Sequence, residues 1–138
     1  MNTDFLDAHE RHWDDAEYLN AAARFPNADH LYGAAAECGL KSLMIKFNML
    51  VDADGVPVDR QRDRQHVNKI WDRYETYRSG AVSSAEYALS SPNPFLDWDV
   101  NQRYANRSNF DKTRVLGHKK GAEEVRNLVG KARKDGLL

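Results

Sequence analysis

Apolar residues recur along this 138-residue chain at steps of three and four. That is the period of amphipathic helices. Phe5, His9, Trp13, Ala16, Leu19 and Ala23 form the first such run, with Thr3 as its cap and Asp4 and Asp7 near its positive end. Phe25-Pro26-Asn27 breaks the run, and Asn27 can cap a second helix from about Ala28 to Val51. That segment is apolar on two faces. Leu31, Ala35, Cys38, Ser42, Ile45 and Met49 make one, and Tyr32, Ala36, Leu40, Leu43, Phe47 and Leu50 the other. A helix apolar around most of its circumference is packed on several sides. Its small residues, Gly33 to Ala36 and Gly39, let neighbours come close, so it is expected at the centre.

A turn-rich stretch, Asp52 to Pro57, leads to a third helix starting near Arg62, where His66, Val67, Ile70, Trp71, Tyr74 and Tyr77 face inward and Gly80 offers a stop. Ser83-Ser84-Ala85-Glu86 has capping-box spacing and predicts a short helix ended by Ser91-Pro92-Asn93-Pro94. Residues 94–108 read as irregular, with Phe95, Trp98 and Tyr104 tucked against the bundle. Ser108 and Asp111 have the same capping spacing before a last helix. Its seam is Val115, His118, Ala122, Val125, Val129 and Ala132, and Gly136 ends it. No stretch alternates with period two, so no sheet is expected. The predicted architecture is an all-α, up-and-down bundle of four or five helices in one domain over 1–138.

Composition fits a soluble globular chain, with 41% hydrophobic and 30% charged residues. No run reaches the roughly 20 apolar residues of a membrane span. The N-terminal stretch is acidic and unlike a secretory signal, so a cytoplasmic location is the expectation. Cys38 is the single cysteine and has no partner for an intramolecular disulfide. The net charge of −1 hides an asymmetry: residues 1–59 carry 11 acids and 4 bases, residues 60–138 carry 10 acids and 16 bases. Lys112, Arg114, Lys119, Lys120, Arg126, Lys131, Arg133 and Lys134 crowd the last helix. Such a face is either solvated or a surface for phosphates or an acidic partner.

Three constellations could carry chemistry. His30, Glu37 and Lys41 fall on one side of the second helix by their spacing of seven and four. A carboxylate inside a central helix needs a partner, and Arg103 is a candidate. His66 adds an inward-facing imidazole on the third helix. On the last helix, Arg114 and His118 lie one turn apart. A guanidinium there could balance the charge of a phosphodiester while the imidazole moves the proton of an attacking 2′-hydroxyl. His9 and His12 beside Asp14 and Asp15 form a conceivable surface metal set, the weakest of the candidates. Gly-rich phosphate loops, GxGxxG, HExxH and GxSxG are absent, so neither metal nor cofactor is expected.

Residues Ala28 to Leu43, with Ala36-Glu37 followed by Leu40-Lys41-Ser42, resemble the central-helix signature of the HEPN superfamily (higher eukaryotes and prokaryotes nucleotide-binding). His66-Val67-Asn68-Lys69-Ile70-Trp71 resembles the helix that follows. Arg103-Tyr104 before a capped helix resembles the family's segment before its last helix. The resemblance implies a helical bundle paired through its long helices, hence a homodimer. It also implies one of two roles: a metal-independent ribonuclease using Arg-x(4–6)-His, or a nucleotide- or RNA-associated module, often beside a nucleotidyltransferase or in toxin–antitoxin and defence systems. Arg114 and His118 are separated by three residues, one fewer than that motif, and Arg60 and His66 by five. The spacing therefore favours the binding branch, with His30, Glu37, Lys41, His66 and Arg103 in a polar cleft. The alternatives are an endoribonuclease acting through Arg114 and His118, or a structural dimer or adaptor joined by its acidic and basic surfaces.

Overall fold

The structure, a computed structural model, describes residues 1–81 and 85–138. Four helices carry the fold: α1 (Phe5–Ala21), α2 (Phe25–Lys46), α3 (Val67–Ser79) and α4 (Lys112–Lys134). Short 3₁₀ turns occupy Ala85–Tyr87, Val100–Tyr104 and Arg107–Asn109. Among the described residues, extended pairing is limited to one isolated bridge, Val51 with Pro57. The bundle is all-α, as its sequence periodicity predicts.

Helix α2 lies at the centre and packs on α1, α3 and α4. Tyr32, Ala36, Leu40 and Leu43 are fully buried there. The seam read on α4 is buried at all six positions. Burial of this kind stabilises by about 25 cal/mol per Å² of apolar surface. Two glycines set how closely elements approach. A Cβ on Gly33 would overlap the Trp98 indole, and one on Gly121 would stand 2.7 Å from Phe95. Both aromatic side chains of the 95–98 segment are thus seated on glycines of neighbouring helices.

Helix ends differ from the sequence reading, for local reasons. Asp4, not Thr3, caps α1, accepting from the backbone N–H of Leu6 and Asp7. Thr3 instead donates its N–H to Asp54 O at 2.8 Å. The break after α1 comes before Phe25-Pro26. Ala23 takes a left-handed conformation (φ 56°), and Arg24 N–H reaches back to Leu19 O. That is a Schellman ending. Pro26 then falls in the first turn of α2, where its missing N–H costs nothing. Asn27 is not the cap; Arg24 holds that place without a side-chain hydrogen bond.

Helix α2 stops at Lys46, short of Val51, because Asn48 adopts φ 75° and Met49 N–H bonds to Met44 O. Asparagine is one of the few residues that tolerate this conformation. Leu50 consequently lies outside, exposed. Helix α3 begins at Val67, later than Arg62, since residues 60–63 form a turn. There Asp63, almost fully buried, accepts from Arg73 Nε and the Tyr77 hydroxyl. Asp111, not Ser108, caps α4 through Arg114 N–H. The expected Ser83–Glu86 cap falls in part on residues 82–84, outside the described residues. Tyr104 is not tucked in: it is 76% exposed.

Candidate functional site

The Arg114–His118 pair converges, but on carboxylates of its own chain. His118 lies on α4 and is buried. Its Nδ1–H donates to Asp29 Oδ1 at 2.6 Å and its Nε2–H to Asp97 Oδ1 at 2.9 Å. The Phe95 ring stacks on it at 5.3 Å. Burial opposes its charged form, yet the two carboxylates outweigh burial and raise its pKa above the ordinary 6.5. Arg114 donates to Asp97 Oδ2, Asp97 O and Gln102 Oε1 at 3.1, 2.7 and 3.0 Å. Its Nε lies 3.4 Å from Asp29 Oδ2, an ion pair without hydrogen-bond geometry. Gln102 Nε2 donates to that same Asp29 oxygen at 2.7 Å. The set binds the 97–102 segment to α2 and α4. An imidazole whose two ring nitrogens are both engaged by carboxylates of its own chain offers neither of them to a substrate.

The second constellation gathers around Glu37. Lys41 Nζ lies 2.8 Å from Glu37 Oε1 and donates also to Gln65 O at 2.9 Å. His66 Nδ1–H donates to Glu37 Oε2 at 3.2 Å. Both carboxylate oxygens are thereby engaged by Lys41 and His66. Arg103, the partner expected from sequence, instead stacks its guanidinium over Tyr104 at 4.8 Å. Burial acts to raise the Glu37 carboxyl, and His66 and Lys41 outweigh it and hold it below the ordinary carboxylate value. His66 is not an inward residue: its side chain is 49% exposed. His30 joins through Trp98, with its ring stacked on the indole at 5.4 Å and His66 tilted on it at 6.3 Å. Burial, and then Arg103 nearby, push the His30 pKa down.

Other sequence candidates separate. His9 is buried and bonded to Ala35 O at 2.7 Å, so it does not face the Asp14–Asp15 side with His12. Among the described residues no group of three His, Cys, Asp or Glu is placed to hold a metal ion. Burial, then the Glu37 charge, raises the Cys38 thiol to about 12. It is therefore a thiol near neutrality and a poor nucleophile. On α4, Lys119 pairs with Glu17, Arg133 with Glu10, and Lys131 with Glu86 and Asp135. Much of the basic run is thus tied to the protein's own acids.

A separate group of cations lies on other elements. A pocket of about 420 Å³ is lined by Arg24, Phe25, Asn27, Arg103, Arg107 and Phe110, together with Ala23, Pro26 and Ala105. The volume lies within the range of ligand pockets. No acidic residue lines it. Arg24 and Arg107 make no side-chain hydrogen bond or ion pair among the described residues, and Arg103 makes only its contact with Tyr104. Arg24 and Arg107 escape sequence reading because they belong to no motif and stand 83 positions apart in the numbering. The one local signal is weak: Arg24 has no acid three or four residues to either side.

Compared with protein families, curated proteins and solved structures, the chain finds no match. No helix among the described residues is long and apolar enough to cross a membrane.

Proposed function

We propose that the chain is a HEPN-like module that binds a phosphate-bearing ligand, a nucleotide or RNA, without cutting it. The observation that carries this reading is the pocket that Arg24, Arg103 and Arg107 line together, with no carboxylate among its lining residues. Like charges gathered without a counterion favour an anionic ligand, and planar guanidinium forks suit phosphate. The four-helix arrangement around α2 is compatible with the HEPN bundle. A homodimer, and a nucleotidyltransferase or toxin–antitoxin setting, belong to the same proposal; light scattering on the purified chain tests the dimer. The decisive experiment is fluorescence anisotropy with labelled single-stranded RNA and with labelled nucleotide at increasing salt. Affinity is expected to fall steeply with salt and to drop when the three arginines are changed to Gln. No binding of either ligand at low salt overturns the reading.

Endoribonuclease activity is the second reading, and His66 is the observation that favours it. Its ring is half exposed, oriented by Glu37 through Nδ1, and has Nε2 free for a proton. The Arg114–His118 pair supports it less, since its polar atoms are engaged by Asp29, Asp97 and Gln102. RNA degradation in EDTA that is lost in His66→Ala would establish this alternative.

A further inference from the structure

We infer that the Arg24–Arg103–Arg107 pocket takes a terminal phosphomonoester, the end phosphate of a nucleotide or oligonucleotide, in preference to an internal phosphodiester. This rests on the binding reading above. A phosphomonoester carries a charge of about −1.5 to −2 at neutral pH, against about −1 for each internal phosphodiester. It also offers three terminal oxygens where a diester offers two. Three arginines in one lining, with no acid among the lining residues, match the larger charge and the third oxygen.

Arg103 is held for this task. Its guanidinium lies 4.8 Å over the Tyr104 ring, which limits its rotamers while leaving the edge of the fork free. Phe25, Pro26 and Phe110 supply the apolar part of the lining.

The larger groove between α1 and α4, about 590 Å³, does not share this character. It also holds Arg126, Lys131, Arg133 and Lys134, but Arg133 pairs with Glu10, Lys131 with Asp135, and Arg126 lies over Trp13. Two acids stand in its lining, so it is a mixed surface and not a phosphate cradle.

The test compares one single-stranded RNA of about ten residues in two forms, 5′-phosphorylated and 5′-hydroxyl, with adenosine monophosphate and adenosine as the mononucleotide arm. The phosphorylated member of a pair is expected to bind about tenfold tighter. Arg24→Gln, Arg103→Gln and Arg107→Gln should each shrink that difference while thermal unfolding stays unchanged, because all three side chains are exposed. A preference seen with the RNA pair, with or without one in the mononucleotide pair, supports the inference, because only the RNA sets an end phosphate against internal phosphodiesters. Equal affinity for phosphorylated and hydroxyl RNA, lost in the arginine variants, overturns the inference and leaves the binding module standing. No binding in any arm overturns both.

Discussion

Asp29 Oδ1 stands 2.6 Å from His118 Nδ1, joining the first turns of α2 to the first turns of α4 across 89 positions of chain. Neither residue is exposed. Asp97 takes the other ring nitrogen and Arg114 stands beside both acids, so each charge inside the contact meets an opposite one. The pair that resembles a nuclease motif thus serves as a clamp. It holds the segment from which Trp98 and Arg103 project.

Removing one member of that clamp leaves the others unmatched. Asp29→Asn is expected to cost about 3–5 kcal/mol, the usual result of breaking a buried ion pair from one side. Urea denaturation of the variant measures it directly. A loss below about 1 kcal/mol would mean that the clamp is incidental to stability.

Two buried histidines should give the stability curve opposite slopes. His118 has a pKa raised above 6.5, so its contribution is complete below 6.5 and declines as pH rises through the folded value. Burial pushes His9 the other way, against the help of its bond to Ala35 O and with Arg126 adding to the fall. Its contribution is complete above 6.5 and is lost as pH falls through its lower folded value. NMR titration of the ring protons should find His118 titrating above, and His9 below, the value of a free imidazole. Identical titration of the two would contradict the arrangement.

Gly33→Ala should displace Trp98. The added methyl overlaps the indole, and overpacking of this kind costs about 1–3 kcal/mol. Because Trp98 separates His30 from His66, the same change should alter both imidazole shifts in an NMR spectrum. Unaltered shifts would show that the backbone yields and the ring stays.

Ala23→Gly should stabilise. Ala23 sits at φ 56°, where a side chain costs about 1–2 kcal/mol and glycine does not suffer that strain. Greater freedom of glycine in the unfolded chain offsets part of the gain, leaving up to about 1 kcal/mol. A thermal midpoint that fails to rise would argue against this helix ending.

Glu37→Gln tests the second cluster. Lys41 is 5% exposed and would lose its carboxylate while keeping only Gln65 O, a loss of roughly 3 kcal/mol. In the native chain Glu37 stabilises above its unfolded value and stops doing so as pH falls through its lowered folded one. The variant should lack that acid-side decline.

The helices and their inward faces were legible in the sequence because helix periodicity is local: residues three and four apart share a face wherever the helix goes. Val115 to Ala132 on α4 and Val67 to Tyr74 on α3 needed no knowledge of their neighbours, and Glu37–Lys41, one turn apart, was likewise within reach. Tertiary structure alone decided which distant charges meet. That Asp29 answers His118, that His66 rather than Arg103 answers Glu37, and that Arg24 shares a pocket with Arg107 all depend on segments brought together from 29 to 89 positions apart. The physical reason is range. A helix, or an ion pair one turn apart on it, is chosen by its own few residues, whereas an ion pair between distant segments forms only where two folded surfaces place opposite charges within about 4 Å, and no spacing along one chain segment encodes that meeting.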